Sequence, residues 1–392
     1  MRLEDFSDTG RTFLVQVSGG WAFVPPLVPP DIPLSRQLLA QSERARGVVS
    51  ELVGEARRTP NITMVLRPLV VLEAVRSSRI EGIHTEVRDV LLERAAPHAA
   101  EDGERQTVSD AELRDIREVF NNEEAITLGH AWLAEGRTLT LSVVKELHAA
   151  LLRNNVRGQD KHPGAFRKTQ VWIGNRGDDL ASSRYVPPPP EQVEPLLDNL
   201  IAFMHQDTTY GPLIDCAISH YQFEAIHPFE DGNGRIGRVL IPLHLMLQHV
   251  IDQPLLSLGL VLDSEREEYL HRLNQVSVAG DWDGWVMFFL DMVRQQALVS
   301  LKRVERTLEL YQRYRDLTAS LSSRVPHRVI EFLMEQPFVS APQVARFAGT
   351  SYPTARAAVD SLVELGILNP LRRISGTQYW EAAELIASIY EG

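Results

Sequence analysis

The chain has 392 residues, of which 44% are apolar and 23% charged, and its formal net charge is −12. That length exceeds what one hydrophobic core usually organises, so two or three domains are expected. The acidic balance argues against general nucleic-acid binding, because phosphates repel it outside a local basic patch, and the single cysteine, Cys216, excludes an internal disulfide and a cysteine-rich zinc site.

One cysteine also fits a reducing compartment. Met1 to Asp5 is acidic and lacks the apolar stretch of a signal peptide, and no run of about 18 apolar residues occurs. A cytoplasmic protein without a membrane partner is therefore expected. Val24 to Pro33 reads VPPLVPPDIP, an extended arm. Leu38 to about Arg94 is helical in pattern. Within it, Pro68 to Arg79 ends at Ile80-Glu81-Gly82, where the glycine is a natural helix stop. Pro97 to Gln106 reads as a polar loop or boundary.

Helical periodicity then resumes. Leu141, Val144, Leu147 and Leu151 share one face, as do Leu197, Leu200, Ile201 and Met204. Between these helices, Val171, Trp172 and Ile173 are strand-like. Tyr185 and Val186 lead into the proline run Pro187 to Pro190, so Gln170 to Val186 predicts a small β-hairpin. Leu213 to Ile226 and Arg235 to His249 predict helices, with Cys216 packed in the first. A long helix, with room for a break, is expected over Asp283 to about Leu317. From Val325 onward the pattern predicts three helices, Arg328 to Gln336, Ala341 to Phe347 and Ser351 to Leu365. A short β-ribbon over Arg372 to Trp380 follows, and together they make a winged helix-turn-helix.

The chemistry concentrates between two of these helices, at His227-Pro228-Phe229-Glu230-Asp231-Gly232-Asn233-Gly234-Arg235-Ile236-Gly237-Arg238. Gly232 and Gly234 let the backbone turn tightly and approach a ligand. Their amides, with the start of the next helix, form an anion cradle. Arg235 and Arg238 are three apart and share a helix face suited to phosphate oxygens. Asp231 is a hard oxygen ligand suited to Mg²⁺. His227 at the lip is a natural general base near neutral pH. The set points to attack by a hydroxyl on a phosphorus centre.

This stretch resembles the Fic family signature HPFxDGNGRxGR, with every specified position met and a typical QFEAIHPF upstream. The similarity runs from about Pro25 to Leu301. It implies a protein adenylyltransferase with ATP as substrate and Mg²⁺ as cofactor. In that reading His227 takes the proton from a protein Tyr, Thr or Ser hydroxyl, and Asp231 helps hold Mg²⁺. Asn233 and the backbone of Gly232 and Gly234 hold the α-phosphate, and Arg235 and Arg238 meet the β- and γ-phosphates. Phe229 and Gly237 belong to the same nucleotide-binding motif, and Tyr269 is a candidate for the adenine pocket and equally for a core aromatic. Glu230 fills the variable position without an assigned role. The related Doc proteins carry lysine where Gly234 stands, so glycine favours nucleotidyl transfer over phosphorylation.

Ser77-Ser78-Arg79-Ile80-Glu81-Gly82 resembles the family's inhibitory motif, [S/T]xxxE[G/N]. The resemblance implies that Glu81 pairs with Arg238 and diverts it from the γ-phosphate. It also implies that this glutamate can serve AMP removal in some relatives. Val171, Trp172, Ile173, Tyr185 and Val186 match the family's flap, whose edge pairs with an extended target segment.

The fold expected is mainly α: a Fic helical core with a small β-hairpin flap, plus a C-terminal winged helix-turn-helix. Its divisions are residues 1–105 with the inhibitory motif, 106–300 as the catalytic core, 301–324 as a linker helix and 325–392 as the winged helix. Helix Ser351 to Leu365 has Arg356 against Asp360 and Glu364, and Arg372 and Arg373 lie in the wing. Protein contact, homodimer packing or target docking is therefore favoured there over DNA. Two other readings compete with an autoinhibited adenylyltransferase. One is a ligand-sensing regulator acting through the winged helix, and the other is transfer of a different phosphate-containing group.

Overall fold

A computed structural model describes residues 1, 3–97, 109–154, 156–174, 177–256 and 258–391. Apart from Pro97, the expected loop up to Gln106 lies outside the described residues.

A short helix α1 (Asp8–Arg11) precedes a two-stranded hairpin, β1 (Leu14–Val17) and β2 (Gly20–Phe23), paired antiparallel with Leu14 opposite Phe23. Gly19, at φ 95, makes its turn. The hairpin is missing from the reading of the sequence, although a glycine pair between two short apolar runs is a recognised hairpin signal. The proline arm follows as an extended segment tied to the body, where the Val28 amide donates to Asn199 Oδ1 at 2.8 Å.

The helical body comprises α2 (Arg36–Arg57), α3 (Thr63–Ile80), α4 (Val87–Ala95), α5 (Asp110–Ala134), α6 (Leu141–Leu151), α7 (Pro190–Met204), α8 (Pro212–Ile226), α9 (Asn233–Leu247), α10 (Gly259–Ser264) and α11 (Arg266–Ala279). Local chemistry sets the starts of several of them. Ser35 caps α2 by accepting from the Leu38 amide, and Ser109 and Glu112 form a reciprocal capping box on α5. Helix α12 (Trp282–Thr318) runs 37 residues unbroken, its start capped by Asp281 on the Gly284 amide. Among the described residues no helix is long and apolar enough to cross a membrane.

The C-terminal part contains α13 (Val325–Glu335), β3 (Phe338–Ser340), α14 (Ala341–Ala348), α15 (Tyr352–Glu364), β4 (Asn369–Pro370) and β5 (Tyr379–Glu381), with sheet order β3-β5-β4, all antiparallel. The three expected helices are present and end within a few residues of their expected bounds. Strand β3 was not anticipated.

Apolar side chains collect in two buried clusters. The larger holds the faces of α2, α6, α7, α8, α9, α11 and α12. The second joins the C-terminal elements to α3, α4 and α5 and to Leu310, Tyr311 and Tyr314 of α12. Residues 325–392 therefore do not close a core of their own. Helix α3 lies between the two clusters: Val65, Leu69, Val70 and Ile80 serve the first, Met64, Val71, Leu72, Ala74 and Val75 the second. This accounts for its near-continuous apolar run, since a helix packed on both sides shows no polar face. Hydrogen bonds reinforce the joint. Gln336 Nε2 donates to Leu91 O at 3.3 Å, and Gln343 Nε2 donates to Ala95 O at 2.6 Å.

Candidate active site

The glycine-rich turn connects the end of α8 to the start of α9, and each of its bends has a local cause. His227 ends α8 in the left-handed region, at φ 49 and ψ 62, and so breaks the helix at the lip of the turn. Arg167, which is buried, stabilises that break. Its Nε donates to His227 O at 2.8 Å, its Nη2 to Ile226 O at 3.3 Å, and its amide to Pro228 O at 2.9 Å. The sequence reading missed Arg167, and a lone arginine ahead of the flap gave no signal. Burial and then the nearby Arg167 cation pull the His227 pKa down to about 4, so its imidazole is neutral and able to accept a proton near pH 7.

Phe229 is buried and stacks on His148, ring centroids 3.7 Å apart. His148 Nδ1 accepts from the Gly164 amide at 2.9 Å, which leaves Nε2–H to donate to Asp231 O at 2.9 Å. Burial lowers the His148 pKa to about 4 and keeps that tautomer neutral. His148 was missed because one histidine on the apolar face of α6 reads as packing.

Asn233 helps to shape the turn: its Oδ1 accepts from the Phe229 amide and its Nδ2 donates to Phe229 O, both at 2.8 Å, and the second N–H of that amide has no partner among these bonds. The backbone offers further donors. Gly232, at φ 78, is the N-cap of α9, and the first intrahelical bond runs from Ile236 N to Gly232 O. That leaves the amides of Asn233, Gly234 and Arg235 without intrahelical acceptors, at the positive end of the helix.

A carboxylate lies beside this cradle. Glu81 Oε1 lies against Gly234 so closely that a Cβ there would collide with it. It also accepts from Arg238 Nη2 at 2.7 Å. Ser77, one turn earlier on α3, accepts from Arg238 Nε at its Oγ, 2.8 Å, and from Nη2 at its carbonyl, 2.9 Å. Burial alone would raise the Glu81 pKa, but Arg238 prevails and holds it below the ordinary range. The Arg238 pKa is raised in turn, its own burial being outweighed by Glu81.

Arg235 is buried, and its Nη1 donates to Glu118 Oε2 at 3.1 Å. Glu118 Oε1 accepts from Arg157 Nε at 2.6 Å. Arg235 Nη2 lies 3.6 Å from Asp231 Oδ1. Asp231 is half-buried, its Oδ1 accepts from the Gly232 amide at 2.6 Å, and its Oδ2 faces Gly158, which has no Cβ to obstruct it. One carboxylate open to the cradle mouth fits Mg²⁺, which takes few protein ligands and completes its shell with water and phosphate oxygens. Among the described residues no group of three or more His, Cys, Asp or Glu could hold a metal unaided.

Beside the turn lies a cleft of about 540 Å³ including its open mouth. Ile173, Arg184 and Tyr185 line one side, Tyr221, Glu224 and Ala225 of α8 the floor, and Leu270, Leu273, Asn274 and Ser277 of α11 the other wall. Tyr269 is not in that wall. It is buried and its hydroxyl meets His220 Nε2 at 2.9 Å, because one residue of helix rotation turns it inward where Leu270 faces the cleft.

The flap is less regular than a hairpin. Its pairing is one antiparallel bridge, Ile173 with Tyr185, and residues 175–176 lie outside the described residues. Val171 precedes the bridge, its carbonyl accepting from the Gln170 side chain, and Trp172 is exposed. Tyr185 and Val186 are core residues. The Tyr185 hydroxyl donates to Ala225 O, and Val186 O accepts from the Phe23 amide at the end of β2, so that edge is already covered.

Fold and site define a helical domain built on a glycine-rich anion cradle, with a histidine at its lip and a cleft alongside. The chain belongs to the Fic/DOC family. The Fic/DOC family model matches residues 138–245 and the Fic/DOC family N-terminal model residues 39–131. The chain is 27% identical over 211 residues to Protein adenylyltransferase Fic of Drosophila grimshawi, covering 53% of this chain and 37% of that one. It is 29% identical over 138 residues to Protein adenylyltransferase fic-1 of Caenorhabditis elegans, covering 34% and 25%. The matched stretch thus spans well under half the length of these relatives. In fold it is similar to a Fic family protein from Desulfovibrio desulfuricans, with a TM-score of 0.55 and 22% identity over 90% of this chain and 98% of that one. It is likewise similar to C. elegans Fic-1, with a TM-score of 0.52 and 21% identity over 70% and 74%.

Proposed function

We propose that the chain transfers AMP from ATP to a hydroxyl of a protein and that Glu81 restrains it. The observation that carries this reading is the Glu81 carboxylate beside the anion cradle, bonded to Arg238 and close against Gly234. A carboxylate in that place stands in for a phosphate oxygen and blocks it.

The chemistry follows from the residues. The open amides of Asn233, Gly234 and Arg235 would hold the α-phosphate. Arg238, once free of Glu81, would take the γ-phosphate. The base would lie in the cleft between the flap side and α11. Neutral His227 at the lip would accept the proton of the attacking hydroxyl as oxygen–phosphorus bond formation expels pyrophosphate. Asp231 would hold Mg²⁺, whose charge offsets that of the departing pyrophosphate. Arg235 supports this indirectly by fixing the start of α9. Target hydroxyls on Tyr, Thr or Ser, and AMP removal aided by Glu81, belong to the same reading, as does a cytoplasmic setting.

We read residues 325–392 as a winged helix that contacts protein rather than DNA. Arg356 on α15 is tied to Asp360, Nε lying 3.0 Å from each carboxylate oxygen, and stacks over Trp380, so its charge is partly offset. The shared core with α3 favours a second role, in which this module acts on the helix that carries Glu81.

The test is transfer of label from ATP labelled at the α-phosphate, with Mg²⁺, to the protein itself or a lysate. Label should rise in Glu81→Gly and vanish in Glu81→Gly with His227→Ala. No label in any form with ATP binding intact would favour a different cargo or a purely sensing domain.

A further inference from the structure

The cleft beside the anion cradle contains one carboxylate among its lining residues, that of Glu224. It sits on α8 three residues before His227, between the phosphate end of the site and the apolar wall of Leu270 and Leu273. Its Oε1 rests against Gly237 of α9, where any Cβ would collide with it. That oxygen is shielded from solvent and has no hydrogen-bond partner among the described residues.

A buried acceptor left unpaired is costly, and such a group in a native structure calls for a partner, which a ligand can supply. Burial accordingly pushes the Glu224 pKa up to about 7, against the pull of Arg238. A ligand that donates hydrogen bonds to Glu224 would favour the ionised form.

The position identifies the ligand group. Resting on the reading above that the site takes ATP, the phosphates are fixed at the cradle and the base at the apolar wall. The sugar must lie between them, level with residue 224. A carboxylate has two acceptor oxygens and no donors, which matches two neighbouring hydroxyls once the side chain turns from Gly237 toward the cleft. We propose that Glu224 reads the ribose hydroxyls of the nucleotide and selects ribonucleotides over deoxyribonucleotides. The selection is of the strong kind, because a sugar lacking the hydroxyls leaves a desolvated acceptor unpaired.

The experiment measures affinity for ATP and for 2′,3′-dideoxy-ATP in the full chain carrying Glu81→Gly, alone or with Glu224→Ala or Glu224→Gln. With Glu224 present, ATP should bind roughly ten- to a hundredfold tighter than the dideoxy analogue, the range for charged hydrogen bonds. In Glu224→Ala both ligands should bind alike, at about the weaker affinity. In Glu224→Gln, which keeps one acceptor oxygen, an intermediate preference should return. Preference for ATP surviving in Glu224→Ala, or equal loss for both ligands, overturns the proposal while leaving adenylyl transfer standing. If Glu81→Gly with Glu224 intact neither binds ATP nor labels itself, the underlying reading fails and this one with it.

Discussion

Arg238 Nη2 and Glu81 Oε1 lie 2.7 Å apart across the start of α9, joining a helix of the N-terminal region to the helix that opens the anion cradle. Three bonds hold the arginine there, and two of them come from Ser77. Ser77→Ala removes the acceptor for Arg238 Nε inside a buried site, at a cost of about 1–3 kcal/mol. It leaves Glu81 in place. Self-labelling should therefore rise several-fold over wild type yet stay below Glu81→Gly. Label equal to wild type, with Tm lowered, would show that Ser77 stabilises the fold without restraining Arg238.

The Glu118–Arg235 pair is almost wholly buried and also serves Arg157. Removing one partner of such a pair strands the other charge, so Glu118→Ala should destabilise by about 3–5 kcal/mol. Glu118→Leu combined with Arg235→Met should cost less than either single change, because no charge is stranded. Chemical denaturation of Glu118→Ala, of each single change and of the double variant checks this. Additive losses would mean that the two side chains act independently.

His227 has its pKa lowered by burial and by Arg167 to about 4, from an ordinary value near 6.5. The sign follows from proton uptake. The unfolded chain binds this proton first as pH falls, so the stability His227 contributes is present above about 6.5 and lost progressively down to about 4. For catalysis, the base is already neutral at pH 5. Initial labelling rates of Glu81→Gly should show no inflection near pH 6.5, and such an inflection would contradict the assignment of His227 as a neutral base with a lowered pKa.

Glu73 has the opposite sign. It is buried on α3 and accepts from the Gly259 amide at 2.7 Å, and burial raises its pKa to about 7. A raised carboxyl contributes stability below its unfolded value, near 4.5, and that contribution is lost as pH rises through about 7. Glu73→Gln keeps an oxygen for Gly259 but cannot ionise. Its Tm relative to wild type should be higher at pH 8 than at pH 5, by an amount set by about 1.4 kcal/mol per pKa unit. An unchanged difference between the two pH values would mean that Glu73 titrates normally.

The catalytic turn was legible because its twelve residues are contiguous and each is constrained by the turn itself. The helices were legible because their apolar faces recur at helical spacing. What was hidden depends on distant partners. Arg235 reads as a phosphate ligand, and its bond to Glu118, 117 positions away, leaves no local trace. Tyr269 and Leu270 differ by one step of helix rotation, which periodicity does not resolve at the mouth of a cleft. The flap read as a hairpin because two strand-like stretches precede the proline run, but Tyr185 and Val186 are drawn into the core by Ala225 and Phe23. Helix α3 read only as a helical segment stopping at Gly82, and its near-continuous apolar run is explained by the second core behind it.

That second core makes the last prediction. Ile330 of α13 is fully buried in the cluster that also contains Met64, Val71, Leu72 and Val75 of α3. Ile330→Ala leaves a cavity there and should cost about 2–5 kcal/mol. Because α3 carries Ser77 and Glu81 at its far end, loosening its packing should also weaken their hold on Arg238. Basal self-labelling should then rise in the Glu81 background and be unaltered when Glu81→Gly has already released the arginine. Ile330→Val, which removes less volume, should follow with a smaller loss of stability and a smaller rise. If stability falls in both variants and labelling stays at the wild-type level, the restraint is local to the end of α3, and the C-terminal module supports the fold without acting on the site.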